Sequence, residues 1–393
     1  MLRTTSAALT VLLGVLIALT PLGTDTWVPA LAALGDSLGA SVGAAQLTVT
    51  AFFAGIAVGQ LGWGPVSDRY GRRPCLLAGL ALACAATAAG VGASSIEAVT
   101  LARFVQGLGM SCGPVIARTI VRDLHSHEQA ARLFSSMTIV FSVVPIAGPL
   151  VGAALLMLGG WRAVLAFFAV VSALLFVAAA AGLRETAPAE RASMHPLKLL
   201  AAFRAILAEP RFSAPFAAMV LGQIGIFAFV ANSAFVLMKG FGIAPVAYSL
   251  VFAGVMLGQI TGAWASGRLV VRLGIARMLR TGAALVAVSG ACAALLAWGG
   301  VAHWAAVLVP FMLYVGGMAL ITPNATAAAL TPFARTAGAA SSLIGASQFA
   351  VGAAVSALLG ALFDGTARPM ASVAAVGGLG AYLIERYYLR GKG

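Results

Sequence analysis

The feature that most constrains this chain is a succession of long, unbroken apolar runs parted by short polar turns. We place twelve of them, at 7–32, 42–65, 74–93, 97–119, 133–158, 161–183, 213–237, 246–267, 276–298, 303–327, 337–362 and 368–389. Each is close to the roughly 20 residues that an α-helix needs to cross the hydrocarbon of a bilayer. Strands of an outer-membrane barrel would alternate apolar and polar residues, and these runs do not. Composition closes the argument. With 61% hydrophobic and 9% charged side chains, the chain lacks the polar surface of a soluble domain, which carries about 25% charged residues. The expected fold class is all-α and integral to the membrane, with twelve transmembrane helices and no room for a second soluble domain.

The net charge of +13 invites a nucleic-acid reading. The distribution of the charge argues against it. Of the 24 Lys and Arg, 20 fall on one side of the twelve-span topology. Arg162, Lys239 and Arg368 fall on the other, and Arg103 lies within a span. That is the positive-inside pattern, which sets topology. It places Arg3, the 66–73, 120–132 and 184–212 segments and the Arg386–Lys392 tail in the cytoplasm, and so both termini. Arg3 and Ala7–Leu19 resemble the start of a signal peptide, but the apolar run continues past Pro21. Its removal would also upset the charge parity, so an uncleaved first helix is expected. Cys75, Cys84, Cys112 and Cys292 form no CxxC pair, and His125, His127, His195 and His303 are scattered over loops. No metal site is expected.

The longest hydrophilic segment, 184–212, separates six runs from six. The expected organisation is a six-helix half at 1–183, a cytoplasmic linker at 184–212, and a second six-helix half at 213–393. An internal repeat supports the halving. Gly59-Gln60-Leu61 followed by Ser67-Asp68-Arg69 recurs 199 residues later as Gly258-Gln259-Ile260 followed by Ser266-Gly267-Arg268. Parallel six-helix halves with a site between them are a transporter architecture. The 46 glycines fit it, because small residues let membrane helices approach closely.

Charges inside a bilayer are costly and mark function. Only Asp25 and Arg103 escape the loops and span ends. Counted along their helices, Asp25 lies roughly 10–16 Å and Arg103 about 9 Å below the outer surface. Both are therefore expected in the outer half of the bilayer, facing one cavity or paired with each other. Pro21 and Pro29 each remove a helix hydrogen bond and should loosen helix 1 on both sides of Asp25. Trp27 offers an aromatic face to a flat or cationic ligand. A proton-coupling site needs a membrane-embedded group that can take and yield a proton, and Asp25 is the candidate.

Two further clusters stand out. In the 64–73 segment, Gly64, Asp68, Arg69, Gly71, Arg72 and Arg73 lie between helices 2 and 3. A positive-inside turn accounts for the arginines but not for Asp68, which reads as a latch on a neighbouring helix end. On helix 5, Pro145, Gly148, Pro149 and Gly152 read as a kink with close packing. Among neutral polar residues, Gln106, Gln223, Asn232, Asn324 and Gln348 are candidate cavity-lining residues beside Trp27.

At this point the chain resembles a known family. Gly64–Arg73 is similar to the loop 2–3 signature of the major facilitator superfamily, with Val66 in place of its usual leucine. Arg103-Phe104-Val105-Gln106-Gly107 resembles its helix 4 signature. Gly148-Pro149 with Gly152 resembles the helix 5 antiporter signature, with Ala153 where a second glycine is usual. Thr24–Leu31 resembles the Bcr/CflA drug-resistance transporters more narrowly, as do Gln46–Thr48, Gly59-Gln60, Ser67–Arg73 and the 117–123 stretch. The resemblance is dense over 20–165 and weak after 213.

The resemblance implies two pseudo-symmetric halves and proton-coupled export of drugs such as bicyclomycin or chloramphenicol. It places the helix 1 acid on Asp25, the helix 4 arginine on Arg103 and the gating loop on Asp68, Arg69, Arg72 and Arg73. The expected partners are small-molecule drugs, protons and the lipid bilayer, with no nucleic acid. The expected form is a monomer in the bacterial inner membrane, driven by the proton-motive force without a cofactor. The chain shows no Gly-x-x-x-x-Gly-Lys-[Ser/Thr] phosphate loop, and no enzymatic activity is expected. The alternatives are proton-coupled transport of a metabolite, a sensor on a transporter fold, and a membrane enzyme. The last two are disfavoured by the short loops and by the thin set of reactive groups.

Overall fold

A computed structural model describes residues 7–124, 127–187, 196–333 and 337–389. Arg3, His125, His195, the tail beyond Leu389 and the side chain of His127 lie outside it. Among the described residues there is no strand. The chain divides into two compact units, Met1–His195 and Pro196–Gly393.

The first unit opens with α1 (Ala7–Asp25), a 3-10 turn at Val28–Ala30 and α2 (Leu31–Leu38). It continues with α3 (Val42–Tyr70), α4 (Arg72–Val91), α5 (Ile96–Met110), α6 (Cys112–Leu124) and α7 (His127–Gly182). The second holds α8 (Pro196–Ala208), α9 (Pro210–Ala234), α10 (Pro245–Trp298), α11 (Ala305–Leu330), α12 (Ala337–Leu362) and α13 (Arg368–Ile384).

Nine helical segments among the described residues are long and apolar enough to cross a bilayer. Two of these, Val143–Gly182 and Pro245–Trp298, are 40 and 54 residues long. Each exceeds one crossing by far. Each is broken by glycine, at Gly159 and Gly160 in α7 and at Gly274 in α10. Gly160 and Gly274 take positive φ, which a side chain would oppose. Both segments therefore supply two crossings. α13 has 17 residues and is extended by a π-helical turn, Glu385–Leu389. Twelve crossings result, as the apolar runs predict. Within 184–212, residues 196–208 are helical rather than loop.

Close packing explains the repeated glycines. A Cβ on Gly55 or Gly59 of α3 would strike the carbonyls of Phe104 and Leu108 on α5. In the second unit, a Cβ on Gly254 or Gly258 would strike Leu308 and the Met312 carbonyl on α11. Both pairs are 199 residues apart in the chain. The sequence repeat is thus a repeated helix–helix contact, set where only a hydrogen fits.

Candidate functional site

Two buried charges of the first unit, Asp25 and Arg103, are disposed about the end of α1. α1 runs helically through Pro21 and stops at Asp25. The expected loosening on both sides is therefore one-sided. Pro21 is accommodated within the helix, while the backbone breaks after Asp25. Two turn residues follow, and then Pro29 sits in the 3-10 turn. Asp25 is 6% exposed. Among the described residues no hydrogen bond or ion pair reaches its carboxylate.

Arg103 on α5 is fully buried. It does not pair with Asp25. One guanidinium nitrogen donates to the Gly23 carbonyl at 2.8 Å, two residues before Asp25. Another donates to Gln106 Oε1. The guanidinium lies over the rings of Phe52 at 4.0 Å, Trp27 at 4.9 Å and Phe168 at 5.8 Å. Ring faces of this kind attract a cation electrostatically. The expected common cavity or direct pair is replaced by a division of labour: Arg103 is enclosed and ties α5 to α1, while the carboxylate stands unpaired at the same level. Trp27 is likewise withdrawn. It is fully buried, its Nε1 donates to Thr48 at 3.1 Å, and the cation under its ring is the chain's own.

The helix 5 residues meet Asp25 directly. A Cβ on Gly148 would lie 3.1 Å from Asp25 Cβ, and one on Gly152 would strike the Thr26 carbonyl. The backbone of α7 stays helical through Pro145 and Pro149, and its non-helical residues are Gly159 and Gly160. The segment therefore acts here by close approach to α1. The break falls seven residues beyond Gly152.

The 64–73 segment is tighter than a loop. Gly64 lies inside α3, and Gly71 alone, at φ +105°, turns the chain into α4. Asp68 latches the start of the neighbouring helix, α4. It pairs with Arg72 of the next helix, which also reaches Ser67 Oγ at 3.0 Å and Asp123 at 3.1 Å. Arg73 donates to the Ala180 carbonyl at 2.7 Å. Arg69 lies over Tyr70 at 5.5 Å. The backbone of that helix end is held by Glu185, which sequence reasoning passed over. Its oxygens accept from the backbone N–H of Arg72 at 2.8 Å and Arg73 at 3.3 Å. Burial alone would raise the Glu185 carboxyl. The backbone donors of Ala187, Arg72, Thr186 and Arg73 outweigh it and hold the group below the usual carboxylate range.

The second unit carries a buried carboxylate of its own, Glu385 at the end of the last crossing, 3.5 Å from Arg280, and is otherwise rich in rings. Phe229 meets Phe311 at 5.1 Å and Phe252 at 5.3 Å. Tyr314 donates to the Gly222 carbonyl at 2.9 Å, and Ser233 and Tyr248 share a hydrogen bond at 3.0 Å. The neutral polar candidates divide. Gln106 supports Arg103. Asn324 donates to Ser266 Oγ at 2.9 Å and to the Leu320 carbonyl, tying α11 to α10. Gln348 reaches Met219 Sδ at 3.6 Å. Asn232 is fully buried with neither amide atom bonded, and Gln223 Oε1 is also unsatisfied.

Comparison with known proteins agrees with this architecture. The profile of the Major Facilitator Superfamily matches residues 13–383. The chain is 30% identical over 364 residues to multidrug resistance protein D of Escherichia coli strain K12, covering 93% of this chain and 91% of that protein. It is 30% identical over 367 residues to a bicyclomycin resistance protein homologue of Haemophilus influenzae, covering 91% and 90%. In fold, it is similar to the xylose transporter XylE from E. coli in a partially occluded, inward-open conformation. That match has a TM-score of 0.72 at 13% identity and covers 97% of both chains.

Proposed function

The chain belongs to the major facilitator superfamily, and from that membership we propose that it exports small amphipathic compounds, antibiotics among them, in exchange for protons. The relatives named for multidrug and bicyclomycin resistance support the substrate class. The observation that carries the exchange mechanism is Asp25, a nearly buried carboxylate with no bonded partner among the described residues, at the end of α1 and against Gly148 of α7. A carboxylate held by no fixed cation changes the local charge fully when it takes a proton. An unpaired ion in such a place is costly, and a neutral acid is not. Protonation therefore biases how α1 and α7 pack, and the substrate competes with the proton for the same conformational change.

The protein works in the bacterial inner membrane with both termini in the cytoplasm, as a monomer. It requires no cofactor beyond the proton-motive force. One charge crossing 100 mV is worth about 2.3 kcal/mol. At about 1.4 kcal/mol per tenfold, that supports a gradient near 40-fold.

The test is export in a pump-deficient bacterium expressing the wild type or Asp25→Asn. The panel is chloramphenicol, florfenicol, bicyclomycin and ethidium, with and without an uncoupler. Protection by the wild type, its loss with uncoupler, and failure of an Asp25→Asn variant that still reaches the membrane are the expected results. A wild type that protects against none of them overturns drug export in favour of metabolite transport. An Asp25→Asn variant that protects fully makes Asp25 structural.

A further inference from the structure

Two distant stretches of the first unit meet at one side chain at its cytoplasmic end. Glu185 lies just beyond α7, where the chain leaves the last crossing of the unit. Its Oε1 accepts from the N–H of Arg72 at 2.8 Å and from those of Thr186 and Ala187, each at 2.9 Å. Its Oε2 accepts from the N–H of Arg73 at 3.3 Å. The first N–H groups of a helix have no partner within it, and their dipoles favour an anion. Here an anion borne 113 residues away along the chain fills that role for α4. The fit is steric as well. A Cβ on Gly71 would run into the Glu185 carboxylate, so the glycine of the turn leaves the space that the carboxylate occupies. The neighbours continue the network: Thr186 Oγ1 donates to Asp123 at 3.3 Å, and Asp123 also accepts from Arg72.

We propose that Glu185 is a positioning residue that clasps the start of the linker to the turn between α3 and α4. It holds Asp68 and Arg72 in the geometry from which the turn gates transport. When the turn rearranges, the start of the linker is pulled with it. The gating role rests on the transport reading above. The clasp itself does not.

The test uses the purified full-length protein and its Glu185→Ala, Glu185→Gln and Glu185→Asp variants. Hydrogen exchange is followed at residues 71–73 and 185–187. Binding and proton-driven transport of ethidium are measured in proteoliposomes. In Glu185→Ala, the amides of Arg72, Arg73, Thr186 and Ala187 should exchange together about tenfold faster. The maximal transport rate should fall about tenfold with ethidium affinity held within about twofold, the pattern of a lost conformational step. Glu185→Gln keeps an accepting oxygen and should recover part of both.

Unchanged exchange in Glu185→Ala overturns the clasp. Faster exchange with an unchanged rate per folded molecule makes Glu185 a structural cap and overturns the gating role. If wild-type protein moves no ethidium and none of the other probes, the transport reading fails. Exchange at the two segments, rising together or not, then still decides the clasp.

Discussion

The two units solve one packing problem with different chemistry. In each, glycines 199 residues apart let a pair of helices meet at van der Waals distance: α3 with α5, and α10 with α11. In each, a side chain of the second helix in the pair then reaches a glycine carbonyl on the opening long helix of its unit. In the first unit it is Arg103 donating to Gly23, and in the second it is Tyr314 donating to Gly222. A phenol does this work without charge and at small desolvation cost. A guanidinium does it at the cost of burying a cation among Phe52, Trp27 and Phe168. The tie itself does not require a cation, since the second unit makes it without one. The positive charge of Arg103 is met instead by the faces of Phe52, Trp27 and Phe168. The comparison assigns an unpaired buried carboxylate, Asp25, to the first unit and a paired one, Glu385 with Arg280, to the second.

That assignment is breakable. The largest effect should come from Asp25→Asn, which should lower proton-driven export at least about 100-fold, some 2.7 kcal/mol of lost driving interaction. Asn232→Ala, on the opening long helix of the second unit, should leave the uncoupler sensitivity intact. Equal losses of proton dependence in the two variants would erase the asymmetry.

Next in size are the shared contacts. Gly59→Val and Gly258→Val should each destabilise the folded protein by about 1–3 kcal/mol through overpacking, read as similar falls in melting temperature in detergent. A large fall in only one would show that the repeated contact is not equivalent in the two units.

Smaller again is the pair of ties. Tyr314→Phe removes a second hydrogen bond from a carbonyl that α9 already uses and should cost about 0.5–1.5 kcal/mol of stability with transport per folded molecule preserved. Arg103→Met breaks the corresponding tie, and its effect should fall more heavily on export than on melting temperature. Export retained in Arg103→Met would reduce the guanidinium to a packing element.

The smallest effect is in pH dependence. Glu185 is held below the usual carboxylate range, so its folded pKa is lower than its unfolded one. Its stabilising contribution is then fully present above the unfolded value of about 4.3. It is lost as pH falls through the lower folded value. Hydrogen exchange at Arg72 and Arg73, corrected for intrinsic rates, should be flat from pH 5 to 8 and rise only in stronger acid. A rise near neutrality would point to a group other than Glu185.

Much of this was legible in the chain. Apolar runs of bilayer length and the repeated Gly-Gln motif carry their meaning locally, because a helix in lipid must satisfy its own backbone. Asp25 and Arg103 were legible for the same reason: an ion among apolar residues stands out whatever its partners. Their relation was not. The depth estimates placed both in the outer half of the bilayer, yet Arg103 turned to a carbonyl two residues before the acid. Trp27 is a similar case. Its indole marked it as a ligand surface, and only the packing of α3 and α5 around it enclosed the ring. Gln106 and Asn324 likewise became partners of neighbouring side chains, whereas Asn232 kept both amide atoms unsatisfied.

Glu185 shows the limit most sharply. In the chain it is one acid after an apolar run, with no motif around it. Its role arises because α7 ends beside the turn at Gly71, a contact across 113 residues. The sequence by itself determined what each segment must bury, how many crossings there are, and where an ion would be out of place. Those follow from transfer energies that act residue by residue. Only the tertiary structure decided which polar groups satisfy one another and which are left over. A hydrogen bond is set by distance and direction between groups far apart in the chain, and no local pattern encodes those.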